Sequence, residues 1–205
     1  MRTVCLCVAS LSLLALPAFA DAIFTVGNNP QPNEQNVLFS TNQSAATVFG
    51  ETNQSHDIVQ FTSTTDTLVT TANGQSNLTA LDGLINNVTV TVPGIAFLDL
   101  ILNPRAANGT PSGDTTVSVT TNNGLFTFTY PGGLGNGNNF LTITTINSQT
   151  ISSVTIDSVG GFETDRQNRI SGVGDFVVTS PEPATLGMMG GALALIGLAF
   201  RRRLS

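Results

Sequence analysis

The chain has 205 residues, of which 40% are hydrophobic and only 10% charged, with 13 acidic and 7 basic side chains. Every basic residue is arginine and four of them lie at the two ends, so the stretch from Asp21 to Ser180 sets 12 acidic residues against Arg105, Arg166 and Arg169 alone. A segment with about nine net negative charges has no means of neutralising phosphates, which excludes nucleic acid as a partner, and because Cys5 and Cys7 both precede it, it has no disulfide and no Cys-based metal site.

At the N-terminus, Arg2 precedes an apolar run over 4–16, and Ala18, Phe19 and Ala20 put small residues around a cleavage point before Asp21. A charged start, a run too short to cross a bilayer and a small-x-small site mark residues 1–20 as a secretory signal peptide. Signal peptidase and the Sec machinery are therefore expected partners. Cys7 precedes most of the apolar run, which is the wrong place for lipid attachment.

Residues 21–180 form the exported part, and no composition shift inside it is sharp enough to divide it. After an Asn-, Pro- and Gln-rich arm or loop over 27–36, apolar residues recur with period two. Val88, Val90 and Val92 alternate with Thr89 and Thr91, and Val117 and Val119 alternate with Thr116, Ser118 and Thr120. Such alternation is the pattern of a strand with one buried face. Strands are expected at 37–40, 46–50, 57–62, 67–71, 78–81, 88–92, 95–102, 116–120, 125–130, 140–146, 153–156 and 175–179. Asn122, Asn123 and Gly124 between two of them predict the clearest hairpin. Loops are expected at 103–113 and 132–139, rich in Gly, Asn and Pro. With no helical periodicity in this part, the expected fold is all-β, a single antiparallel β-sandwich or jelly roll. About 160 residues can bury one core.

Catalytic constellations are sparse. His56 is the only histidine and stands beside Asp57, but no G-x-S-x-G elbow accompanies it, and a lone histidine in a turn is commonly solvated. Glu163 and Asp165 are the one close carboxylate pair that a glycosidase would need, yet Arg166 and Arg169 beside them point to ion pairs in a structural clamp. Calcium is the one cofactor with donors at hand, since Asp157, Glu163, Asp165 and Asp175 flank the last loops; no EF-hand or nonapeptide repeat goes with them. Thr-x-Thr pairs at 62/64, 65/67, 89/91, 127/129 and 142/144 raise ice binding, but their irregular separations fit ordinary strand residues facing outward.

The last 25 residues are the most specific. Pro181, Glu182 and Pro183 precede an uncharged apolar stretch over 184–200, followed by Arg201, Arg202 and Arg203. Seventeen residues at about 1.5 Å each reach roughly 25 Å, just enough for a transmembrane helix. Three arginines hold their end in the cytoplasm, placing the proline motif outside, where the two prolines keep it extended.

This tail closely resembles the PEP-CTERM sorting signal of Gram-negative bacterial surface proteins. Pro181, Glu182 and Pro183 match the motif, 184–200 the membrane helix and Arg201–Arg203 the basic end; the resemblance covers 181–205 and nothing before it. It implies recognition and cleavage by an exosortase, a membrane-embedded transpeptidase, after transient anchoring in the inner membrane. The same tail is catalogued as the C-terminal domain of ice-binding proteins, a label for the anchor that carries no ice chemistry. The sequence thus reads as a non-enzymatic surface or extracellular-matrix protein whose passenger either has a structural, matrix-filling role or associates with exopolysaccharide, the partner that the resemblance implies; against the latter, the exported part has no Trp and only Tyr130 to form an aromatic platform. The alternatives are a secreted carbohydrate-active or other hydrolase and an ice-binding surface protein.

Overall fold

The computed structural model describes residues 22–72, 74–108, 112–146 and 148–173; the expected signal peptide, the strand expected at 175–179 and the whole C-terminal tail lie outside them. The described residues hold seventeen strands and no helix. In chain order these are β1 (Ala22–Val26), β2 (Gln35–Phe39), β3 (Gln43–Ala45), β4 (Thr47–Thr52), β5 (Ile58–Thr62), β6 (Leu68–Thr70), β7 (Gly74–Gln75), β8 (Asn77–Ala80) and β9 (Ile85–Thr91), followed by β10 (Asp99–Leu102), β11 (Pro104–Arg105), β12 (Thr115–Thr121), β13 (Gly124–Thr129), β14 (Leu141–Thr145), β15 (Ile151–Phe162), β16 (Thr164–Arg166) and β17 (Arg169–Ser171).

The all-β expectation stands, and every pairing is antiparallel. The strands divide into two sheets: twelve in the order β1-β14-β10-β17-β2-β4-β5-β9-β15-β12-β13 with β7 beside β2, and five in the order β11-β16-β8-β6-β3. The large sheet curls far enough for its two ends to meet. Phe24 of β1 stacks on Phe128 of β13, ring centroids 5.6 Å apart, and Phe128 meets Tyr130 edge-on at 5.3 Å. Such aromatic pairs add about 0.5–1.5 kcal/mol beyond their burial.

Period two in the sequence becomes rows across the sheet. Val48, Phe61, Val90, Val154, Val119 and Phe126 are successive cross-strand partners, and all but Phe126 are buried. The adjacent row on the opposite face runs Thr47, Thr62, Thr89, Thr155, Ser118 and Thr127, again partner to partner. Hydroxyl contacts join Thr47 to Thr62 at 3.2 Å and Thr89 to Thr155 at 2.9 Å. Side chains irregularly spaced along the chain are therefore aligned in space. Thr142, by contrast, lies fully buried and donates to the Gly27 carbonyl.

The hairpin of β12 and β13 closes through Asn122 and Asn123, with Gly124 already paired to Thr121 as a strand residue. Its φ of +144° leaves little room for a side-chain-bearing residue. The strand expected over 95–102 is interrupted: Ile95 and Phe97 make single bridges, to Val92 and Ile151, before β10 begins. Pro93 and Gly94 start a turn there, and Gly94 has a φ of +76°. The expected arm over 27–36 is a loop only to Glu34, after which β2 starts.

Candidate functional site: a polar pocket where the chain changes sheets

Three segments that leave one sheet for the other meet at one place. Ser76 joins β7 to β8, Asn103 joins β10 to β11, and Gln167 with Asn168 joins β16 to β17. Leaving a ladder exposes backbone groups that must find new partners, and here the crossings satisfy one another. The Ser76 N–H donates to the Val37 carbonyl at 2.9 Å, and the Ser76 carbonyl accepts the Gln167 N–H at 3.0 Å. Ser76 Oγ accepts the Asn168 N–H at 2.7 Å. The Asn103 carbonyl accepts the Arg166 N–H at 3.3 Å. Gln167 sits in the left-handed region, with a φ of 57°. A non-glycine residue there costs on the order of 1 kcal/mol and persists only where its surroundings fix it.

Above this junction lies a pocket of about 410 Å³ lined by Gln75, Ser76, Asn77, Asn138, Arg166 and Gln167. Its size is within the range of small-ligand sites, and every lining side chain is polar. Asn77 and Arg166 are direct cross-strand partners of β8 and β16.

The orientation of the amides follows from one backbone group. The Asn139 N–H can only donate, and it meets Asn103 Oδ1 at 2.9 Å, which makes Asn103 Nδ2 the donor end. That nitrogen reaches Asn138 Oδ1 at 3.3 Å and Gln167 Oε1 at 3.4 Å. With both carbonyls engaged from below, the NH₂ groups of Asn138 and Gln167 are left to other partners. Asn77 Oδ1 is a buried acceptor with no partner, and the buried Arg166 Nε is a donor with none.

Beneath the pocket the polar groups are deeply buried. Asp165 and Asn168 have no exposed surface. Asp165 Oδ1 accepts the Asn103 N–H at 3.0 Å, while its Oδ2 has no partner. Desolvation pushes the Asp165 carboxyl up to about 6, against the opposing pull of the Asn168 amide, the N–H groups of Asn103 and Arg166, and the Arg166 charge. The Asn168 amide lies near enough to favour the charged form, but no oriented hydrogen bond joins the two side chains.

A second buried carboxyl lies in the large sheet. Asp99, which accepts the Ser171 hydroxyl, is also pushed up to about 6 by desolvation, opposed by that hydroxyl and with the Glu34 charge adding to the rise. A cavity of about 270 Å³ opens beside Asp99, Ser171 and Pro32.

The ion pairs differ from those expected. Arg105 approaches Glu163 at 3.3 Å and Arg169 approaches Glu34 at 3.5 Å, whereas Arg166 makes no ion pair among the described residues. Glu163, with 42% of its side chain exposed, faces an arginine distant in sequence, and Asp165 turns into the interior, so the two carboxyls occupy different environments. His56, with 72% of its side chain exposed, bonds Glu51 rather than Asp57; Asp57 accepts the Ser55 hydroxyl. Of the calcium candidates, Asp157 accepts the Asn87 amide at 2.5 Å, Asp165 is interior, and Asp175 lies outside the described residues. No cluster of three or more potential metal-ligating side chains forms among the described residues. Pro181, Glu182, Pro183, the residues Ala18, Ala20 and Asp21 of the expected cleavage site, and Arg201, Arg202 and Arg203 also lie outside them.

Sequence reasoning missed the pocket because its walls come from separate stretches of chain and consist largely of Asn and Gln, which abound in this sequence. The one available signal was Arg166, one of only three basic residues between Asp21 and Ser180.

No family model matches the chain, and no curated protein does. Among solved structures it is similar to a single-residue mutant of CBM29-2, a family 29 carbohydrate-binding module, with 11% identity over 78% of this chain and 98% of that one, at a TM-score of 0.27. A likeness that low carries no argument about fold or ligand.

Proposed function

We propose that this chain is an exported bacterial surface or extracellular-matrix protein whose β-sandwich passenger, residues 21–180, is non-catalytic and associates with exopolysaccharide. The signal peptide starts export, and an exosortase-type transpeptidase cuts at the Pro181-Glu182-Pro183 tail after a transient stay in the inner membrane. One observation carries this reading: a proline motif, a bilayer-length apolar stretch and an arginine triplet stand in the order and spacing of a sorting address. The curled large sheet, with one apolar and one hydroxyl-bearing face, is compatible with a sandwich that works outside the cell.

Intact mass of the protein from its native host tests the reading. The mature chain is expected to begin at Asp21 and end near Pro183. A variant with Pro181, Glu182 and Pro183 all changed to alanine is expected to retain residues up to Ser205. If the unaltered chain also retains Ser205, the tail is a plain membrane anchor and the sorting proposal fails.

A further inference from the structure

The pocket above Ser76 is rich in donors. It offers the NH₂ groups of Asn138 and Gln167 and the Arg166 guanidinium, while the unpartnered acceptor of its lining, Asn77 Oδ1, is buried beneath the surface. Arg166 is the one arginine of the exported part whose charge is not taken by a carboxylate ion pair among the described residues. A guanidinium presents a planar fork that matches a carboxylate with two parallel bonds, and amides a few ångströms away suit hydroxyl groups on the same ligand. The site also extends. A second depression, about 370 Å³ and lined in part by Pro131 and Phe140, shares Asn138 with the first.

From these groups we infer that the pocket binds a carboxylate-bearing sugar unit of an acidic oligosaccharide. The carboxylate sits on Arg166, the hydroxyls lie on the amides of Asn138 and Gln167, and the next unit lies over Asn138 towards Pro131. This inference rests on the proposed association with polysaccharide and names its chemistry.

The protein's overall negative charge does not oppose it decisively. At physiological salt the screening length is about 8 Å, so carboxylates elsewhere on the surface are largely screened and the groups beside the ligand decide. The charged and titratable neighbours are few. Asp165 and Tyr130 interact electrostatically, Arg166 follows Asp165 on β16, and Arg105 of the adjoining β11 is occupied by Glu163. Below pH 6 the Asp165 carboxyl is protonated and the Arg166 charge stands uncompensated, while a sugar carboxylate stays ionised. Affinity should therefore rise several-fold between pH 7.5 and 5.5.

Calorimetric titration of the full chain in detergent tests the inference, with a short oligogalacturonate, its fully methyl-esterified form and oligoglutamate as probes. The oligogalacturonate is expected to bind, with the ester at least tenfold weaker. Arg166→Gln should weaken the acidic sugar about tenfold, and Asn138→Ala should weaken it several-fold. Arg105→Gln should leave binding unchanged. Circular dichroism checks that each variant folds; should Arg166→Gln fail to fold, Arg166→Lys and the ester comparison on the unaltered chain carry the test. The inference is overturned if the unaltered chain does not bind oligogalacturonate, if the ester or oligoglutamate binds as tightly, or if a folded Arg166 variant binds normally. If the protein from its native host is trimmed at its tail but the chain ignores oligogalacturonate, this inference alone is refuted; if the chain binds oligogalacturonate but the protein from its native host retains Ser205, only the sorting proposal is refuted.

Discussion

Val154 in the large sheet and Asp165 at the junction of the sheets are equally inaccessible to water, but their surroundings differ in kind. Val154 pairs with Val90 on one side and Val119 on the other, so each residue of the row removes apolar surface from water against another that does the same. Asp165 and Asn168 are surrounded by amides and backbone groups, with several of their own polar atoms unpartnered. Burial of that kind is unfavourable by about 1–3 kcal/mol for each unmet group. The large sheet thus stabilises the molecule, and the junction draws on that stability to hold polar groups in a fixed arrangement. Buried polar groups left short of partners in a native structure call for an explanation; the pocket directly above them supplies one.

The greatest damage should come from breaking a row. Phe61 is fully buried between Val48 and Val90 and meets Phe39 edge-on at 5.5 Å. Phe61→Ala should lower the unfolding free energy by about 3–5 kcal/mol, read from urea denaturation; a loss below about 1 kcal/mol would mean the rows are not what holds the sheet.

The response to pH comes from two buried carboxyls, Asp165 at the junction and Asp99 in the large sheet. Asp165 and Asp99 have folded-state pKa values raised to about 6 from 3.8. Between pH 4 and 6 the folded state therefore retains protons that the unfolded chain has released, and stability falls as pH rises through that window. Both values are raised, so the two carboxyls act on this slope in the same sense. Asp66 works the other way: desolvation raises its value, but hydrogen bonds from Thr65, Asn86 and Asn87 outweigh that and lower it, so its contribution is lost in stronger acid. Thermal unfolding should occur at higher temperature at pH 5 than at pH 7.5. Asp165→Asn should reduce that difference by raising stability at pH 7.5; an unchanged profile would show that Asp165 does not titrate in this range.

The smallest effect belongs to the outer face. Thr89→Val leaves the strand pattern intact and removes one hydroxyl contact with Thr155, so stability should change by no more than about 0.5 kcal/mol in the same urea experiment. A larger loss would mean that the hydroxyl row is structural and not merely outward-facing.

These two regions were unequally legible in the sequence. The β12–β13 hairpin could be read directly, because Val117, Val119, Phe126 and Phe128 alternate with Thr and Ser over a few residues and two asparagines close the turn. The threonine row could not, since Thr62 meets Thr89 and Thr89 meets Thr155 only after non-local pairing; irregular spacing in the chain concealed regular placement in space. At the junction the local charge pattern misled. Glu163, Asp165, Arg166 and Arg169 look like a self-contained ionic patch, yet Arg105 takes Glu163, Glu34 takes Arg169, and Asp165 turns inward. Short strands such as β16 and β17, three residues each, are held by pairing with strands from distant parts of the chain and leave almost no periodicity of their own.

The location of the arginines also governs how residues 21–180 meet proteases. Arg105, Arg166 and Arg169 lie in β11, β16 and β17, each half-buried, and no lysine occurs anywhere in the chain. An enzyme that cuts only after basic residues can therefore act between Asp21 and Ser180 only at bonds adjoining these three strands. Trypsin therefore acts as a clock for the opening of the sheet junction: cleavage at these three positions measures how often the junction comes apart while the rest of the molecule stays folded.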